Sequence, residues 1–384
     1  MKNLRLLHLI VFLLGFALTL SSFDAGKTII SEQFKKAPSS KRVRLEFEWD
    51  GLIREYLLYL PENLQPGAPL LLALHGISET STAELAQGYF EMDVLADERG
   101  FAVAYPQGTR DLNNFYFWNV GYDFHVDETV DDLGFLKALA LSLQGKHNLS
   151  AQNIFVTGFS NGGDACFMLL SKAADIFKAG SCGGAGLMLV IRDANIKHSV
   201  PVLIVNGTDD AITNWDGDMQ NTAGWGAYLS VEDNALWWSK QNETTKATTY
   251  ILPDINKNDN STIRVTKYTH GINDNEVWLY AIIGGGHEWP GSWGNMDVEM
   301  SEHTWDFFQM YMDKDPAPTI PSVLEKPSSA EIKLTVPSAT IECCDRDSIG
   351  REDTDVHSIK EAQIEDGTVP AAASDATEQA APEA

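Results

Sequence analysis

Four cysteines in 384 residues are too few to build a scaffold from disulfides. Cys343 and Cys344 are adjacent and poorly placed to bond each other. Cys166 and Cys182 both follow the segment Gly158–Gly162, and both a bond and two buried thiols fit that placement. An uninterrupted apolar run of the roughly 20 residues needed to span a bilayer is also absent. The longest, Leu9 to Leu20, follows Lys2 and Arg5 and leads into Thr19, Ser21 and Ser22. Residues 1–22 therefore read as a secretory signal rather than an uncleaved anchor, and the chain is expected outside the cytoplasm, extracellular or periplasmic. No cysteine follows that run, so no lipid anchor is expected. Basic residues are scarce, 28 Lys and Arg against 54 Asp and Glu, a formal net charge of −26. A surface of that sign repels nucleic acid and anionic membrane, and neither is expected as a partner. Metal-ligand motifs are lacking too. The segment Asp254-Ile255-Asn256-Lys257-Asn258-Asp259 has Asp259 where a calcium loop needs its turn glycine and Val265 where it needs its bidentate glutamate, so it reads as a solvated loop. Neither metal nor cofactor is expected.

What is present is an alternation of buried strands and helices. Val43 to Trp49 and Ile53 to Leu60 read as a hairpin turning at Asp50-Gly51. Pro69 to His75, Phe101 to Pro106, Ile154 to Phe159, Pro201 to Val205 and Val277 to Ile283 are continuous apolar runs, as in strands covered on both faces. Helical spacing appears at Val130 to Gly145, Gly162 to Ala174, Ser230 to Gln241 and Ser301 to Met312. The pattern predicts an α/β fold with a doubly wound, mostly parallel sheet over residues 41–314. Residues 315–384, rich in Pro, Ala, Ser, Thr, Glu and Asp, read as a disordered acidic tail. Asp131 and Asp132, paired at a helix start, read as structural carboxylates favoured by the helix dipole.

Chemistry is carried by four pieces in order, each at a strand end. Gly158-Phe159-Ser160-Asn161-Gly162 is a G-x-S-x-G between a strand and a helix. A nucleophilic serine needs that tight turn to lift its Oγ above the sheet, with glycines where strand and helix close on each other. His75-Gly76 ends an earlier strand, and the backbone N–H of Ile77 after it, with that of Asn161, is the expected oxyanion hole. The side chain of His75 itself reads as an ordinary strand-end histidine. Asn206-Gly207-Thr208-Asp209-Asp210 sets a carboxylate past the strand Pro201 to Val205, and Gly284-Gly285-Gly286-His287 sets a histidine past the last one. The triad Ser160, Asp210 and His287 follows, in the order serine, acid, histidine.

Ser160 in GFSNGGDA, His287 in GGGHEWPG, NGTDD followed by Trp215-Asp216-Gly217, and Thr129 to Leu136 (TVDDLGFL) together resemble the secreted poly(3-hydroxybutyrate) depolymerase and feruloyl esterase group, carbohydrate esterase family one. The resemblance covers residues 43 to 313. It implies an α/β-hydrolase fold and hydrolysis of carboxylic esters without metal or cofactor, on feruloyl or acetyl esters of polysaccharide or on polyhydroxybutyrate-type polyesters. In that family's pattern a Gly-Thr pair, one variable residue and then the acid select Asp210 over Asp209. Family members often carry histidine where Asn206 stands. Trp118 and Trp289 are expected beside the substrate, whereas Trp237, Trp238, Trp278 and Trp305 are expected in the core. Two rivals remain, a peptidase on the same fold and a non-catalytic polysaccharide-binding protein with an aromatic cleft.

Overall fold

The computed structural model describes residues 42–192 and 199–312. The expected signal 1–22 and acidic tail 315–384 lie outside the described residues. At Asp50 and Gly51 the backbone takes φ of 50° and 74°, the left-handed pair that matches the twist of a two-residue hairpin. It joins β1 (Arg42–Trp49) to β2 (Leu52–Tyr59), paired antiparallel. Strand β3 (Leu70–Leu74) is buried along its whole length, as is β4 (Ala102–Pro106). Between them run helices α1 (Ala83–Phe90), capped by Thr82 Oγ1 on the Leu85 amide, and α2 (Met92–Arg99), closed by Gly100. A small hairpin of β5 (Thr109–Arg110) and β6 (Tyr116–Phe117) precedes α3 (Asp132–Lys146). Then come β7 (Ile154–Phe159), α4 (Asn161–Lys172), β8 (Ala179–Gly183), α5 (Leu189–Arg192), β9 (Val202–Gly207) and α6 (Val231–Gln241). The antiparallel strands β10 (Lys246–Ile251) and β11 (Thr262–Thr269), then β12 (Val277–Ile283) and α7 (Met300–Gln309), complete the described chain.

The ten-stranded sheet has the order β1-β2-β4-β3-β7-β8-β9-β12-β11-β10. Its central strands, β4 through β12 in that order, are parallel, and an antiparallel pair flanks them at each side. Helices cover both faces: Phe135 and Leu139 of α3, Phe167 of α4 and Trp238 of α6 pack on one, Phe90 of α1, Leu95 of α2, and Trp305 and Phe308 of α7 on the other. This is the α/β-hydrolase fold, and because parallel strands all end at one edge, it gathers the loops after β3, β7, β9 and β12 there. Strand β8 has no apolar run to announce it. Its sequence, AGSCG, is small because α4 lies directly on it: a Cβ at Gly180 would sit 2.6 Å from Leu170 Cδ1 and 3.0 Å from Cys166 Sγ. Cys166 and Cys182 are joined as a disulfide, with Cα atoms 5.8 Å apart, which ties α4 to β8.

Asp131 and Asp132 both serve the architecture. Asp131 caps α3 through the Gly134 amide. Asp132 is buried and accepts from Arg54 Nη2 at 2.6 Å and from the Asn119 amide at 2.7 Å, while the Arg54 guanidinium lies 4.0 Å over the Phe135 ring. Both partners are shut away from water, with side-chain exposures of 2% and 0%. Removing one partner of such a pair strands the other charge. Asp132→Ala should therefore lower unfolding free energy by about 3–5 kcal/mol in urea titration; a loss below about 1 kcal/mol would mean that water reaches Arg54.

Candidate active site

Ser160 sits on the turn between β7 and α4 with φ 58° and ψ −128°, a backbone shape that L-residues rarely adopt. Its amide donates to Gly183 O at 2.8 Å, and its carbonyl accepts from the amides of Gly163 at 2.7 Å and Asp164 at 3.0 Å. The flanking glycines are required by proximity. A Cβ at Gly158 would collide with the Gly162 carbonyl, and one at Gly162 with the carbonyls of Leu74 and His75.

The acid and the histidine are brought together by backbone contact between two loops. The Asp209 amide donates to Gly285 O at 2.9 Å and the Gly284 amide to Thr208 Oγ1 at 2.9 Å, and no side chain fits between Gly207 and the Gly285 and Gly286 carbonyls. Across this junction His287 Nδ1 lies 2.7 Å from Asp210 Oδ2. The other carboxylate oxygen of Asp210 accepts from the amides of Ile212 at 2.8 Å and Thr213 at 2.9 Å, so the group is aimed from both sides. Asp209 is exposed and takes only the neighbouring Thr208 hydroxyl. The His287 ring packs on Phe159, the residue before the nucleophile, at 4.6 Å between centroids. Two further residues hold its loop: the indole of Trp293 donates to His287 O at 3.1 Å, and buried Glu288 accepts from the amides of Gly286 and Asn295.

The side chain of His75 does more than an ordinary strand-end histidine would. Its Nε2 accepts from the Gly108 amide at 2.8 Å, which leaves Nδ1–H to donate to Gly76 O at 2.7 Å. Complete burial holds the ring neutral, its pKa lowered to about 4. In a trans peptide the carbonyl and the following N–H point to opposite sides, so a fixed Gly76 carbonyl also fixes the Ile77 N–H. Gly76 lies against the nucleophile, where an added Cβ would come 3.1 Å from Ser160 Cβ. Asn161 occupies the first position of α4, whose amides have no partner within the helix.

Trp118 and Trp289 do not line the cleft. Trp118 is fully buried; its indole donates to His75 O at 2.8 Å, and its backbone is clamped by the Asn161 side chain at 2.6 and 3.0 Å. It therefore braces both segments expected to form the oxyanion hole. Trp289 is 1% exposed and packs edge-on against Phe90 at 4.8 Å, with its indole on Ser301 Oγ. Trp238, Trp278 and Trp305 are core residues, while Trp237 is partly buried against the core. The cleft that opens on Ser160 is lined instead by Tyr122, Asp164, Met188, Trp225 and Tyr228. Tyr122 and Trp225 come from polar loops without periodicity, where the sequence offers no signal for them beyond their aromatic character. Asp164 is buried, its Oδ2 accepting from the Tyr122 hydroxyl and its Oδ1 from the Gly186 amide at 3.0 Å. Among the described residues no group of three or more His, Cys, Asp or Glu is arranged to hold a metal ion.

Residues 54–214 match the esterase PHB depolymerase family model. That span holds Ser160 and Asp210; His287 falls beyond it and joins them through the loop contacts above. The chain is 27% identical over 166 residues to the bifunctional acetylxylan esterase/xylanase XynS20E of Neocallimastix patriciarum, covering 43% of this chain and 22% of that protein. It is 24% identical over 214 residues to poly(3-hydroxyalkanoate) depolymerase C of Paucimonas lemoignei, covering 56% and 48%. The chain thus spans half or less of the length of these relatives. Among solved structures, acetyl xylan esterase from Aspergillus awamori superposes with a TM-score of 0.46 at 13% identity, over 67% of this chain and 94% of that one.

The two adjacent aspartates give a direct test of the geometry. Asp210→Asn removes the charge that orients the imidazole and should lower kcat by about 10⁴. Asp209→Asn should stay within about tenfold of the parent on the same ester substrate. The opposite ranking would assign the acid to Asp209.

Proposed function

We propose that this chain is a secreted serine carboxylesterase that works through an acyl-Ser160 intermediate. The observation that carries the reading is the Asp210–His287 bond of 2.7 Å at the sheet edge where Ser160 is held at φ 58°. In this mechanism His287 Nε2 takes the Ser160 proton as Oγ attacks the ester carbonyl, and Asp210 stabilises the imidazolium. The N–H groups of Ile77 and Asn161 receive the negative oxygen of the tetrahedral intermediate, each donor contributing about 3–4 kcal/mol in comparable sites. Collapse breaks the bond to the alcohol oxygen, which leaves with the proton from His287. Water, deprotonated by the same imidazole, then attacks the acyl-enzyme and releases acid and free Ser160.

Acyl esters on polysaccharide, acetyl or feruloyl, and hydroxyalkanoate esters are the substrate classes that the relatives' names support. A panel of p-nitrophenyl acyl esters, methyl ferulate, acetylated xylan and hydroxybutyrate oligomers ranks them. Export rests on the basic start and short apolar run of residues 1–22. N-terminal sequencing of protein from the culture fluid should begin near residue 23, and retention of the full-length chain inside the cell would overturn export.

The mechanism itself is tested at the nucleophile. The parent protein should be labelled by a fluorophosphonate at Ser160. Ser160→Ala should lose several orders of magnitude in kcat at unchanged melting temperature. Turnover within tenfold of the parent would sink the assignment.

A further inference from the structure

The mechanism leaves one buried acid beside the nucleophile without a task. Asp164 lies four residues after Ser160, about one turn along α4, and lines the same cleft. Its neighbours there include Met188, Trp225 and Tyr228, so a carboxyl group stands in a largely aromatic and apolar setting. That placement is expensive. Burial pushes its pKa up to about 7, against the pull of the Tyr122 hydroxyl, the Gly186 amide and the nearby His287. An apolar residue of similar size would fill the space without that penalty.

The hydrogen bonds to the carboxyl group leave room for more. One donor, the Tyr122 hydroxyl, reaches Oδ2, and one, the Gly186 amide, reaches Oδ1. A carboxylate offers about four acceptor sites, so two remain for a molecule in the cleft. Those two bonds also fix the group, since Tyr122 comes from the loop that follows Trp118 and Gly186 from the segment after β8. A preorganised polar group in an apolar cleft is how a binding site reads a single hydroxyl.

We infer that Asp164, oriented by Tyr122, is a recognition site for a hydroxyl group carried by the ester close to its scissile carbonyl. The inference rests on the esterase reading above and adds to it a substrate class: hydroxylated esters are preferred over otherwise identical esters that lack the hydroxyl. The hydroxyl belongs either to the acyl chain, as in a hydroxy acid, or to the alcohol, as on the carbon next to an acylated sugar oxygen. Both sources present the same donor to the carboxylate at a distance of a few bonds from the carbonyl.

Matched ester pairs separate them. On the acyl side, p-nitrophenyl 3-hydroxybutyrate is compared with p-nitrophenyl butyrate; on the alcohol side, 2-hydroxyethyl acetate is compared with ethyl acetate. In the parent enzyme kcat/KM should favour the hydroxylated member of one pair by about tenfold or more, the discrimination expected when a buried polar group is left without its hydrogen-bond partner. In Asp164→Ala and in Tyr122→Phe the ratio within that pair should fall toward one, the larger fall belonging to Asp164→Ala. Fluorophosphonate labelling of Ser160 checks that each variant keeps a working triad. A parent ratio near one in both pairs overturns the inference and needs no variant. So does an equal loss on both members of a pair, which would make Asp164 a brace for the Gly186 segment. Neither result touches the esterase reading, against which this experiment would count if all four esters went unhydrolysed by the parent.

Discussion

A serine with φ 58° and ψ −128° stores backbone strain of the order of 1–3 kcal/mol, and the surroundings of Ser160 are shaped by the need to hold it there. Strands β3, β7 and β8 must close on the first turn of α4 so tightly that glycine is the only residue that fits at 158 and 162. The Ser160 amide and carbonyl are both tied down, to Gly183 on one side and to the helix start on the other. The small residues of β8, the disulfide beneath it and the apolar strands on either side all serve that one close approach. A looser junction would let Ser160 relax into an ordinary helical or extended shape, and Oγ would drop back toward the sheet.

Around this strained turn the polar groups form a connected scaffold. The Asn161 side chain clamps Trp118, the Trp118 indole holds His75 O, and the His75 ring holds the Gly76 carbonyl. The two backbone segments expected to form the oxyanion hole are thus referred to one another through a single indole. On the other flank, Glu288 and Trp293 fix the His287 loop, and two backbone amides fix Asp210. Donors and charges that are already oriented need no rearrangement when negative charge develops, which is where electrostatic catalysis gains its advantage.

Much of this was legible in the sequence, for identifiable reasons. Strands β7 and β12 begin and end where their apolar runs do, and the G-x-S-x-G, the aspartate loop and the glycine-histidine loop each fall at the end of a buried strand. Asp210 was separable from Asp209 by the family pattern, and burial separates them in the same sense. Strand β8 escaped because close packing had replaced its large apolar residues with Ala, Gly, Ser and Cys. Strand β11 carried its signal in alternation, with Ile263 and Val265 inward, and was hidden among threonines and charges. Trp238, Trp278 and Trp305 lie in the core as expected, but Trp118 and Trp289 are buried rather than open to the cleft, because an indole beside an active-site motif looks alike whether it faces the cleft or the layer behind it. Only the direction of the side chain decides, and direction depends on the tertiary path of loops that have no period. The same holds for Tyr122, which its loop brings to Asp164, one turn along α4 from Ser160.

The bond between Cys166 and Cys182 also acts on the chain when it is not folded. Its ends lie 16 positions apart, and it closes a ring that contains the C-terminal part of α4 and all of β8 but its last residue. A ring of that size removes loop-closure entropy from the unfolded ensemble equivalent to about 3 kcal/mol on the chain-entropy view. The stretch that leads from α4 to β8 therefore has fewer shapes to search before it packs. In a reducing compartment that restriction is absent, and α4 is joined to β8 by non-covalent contacts alone.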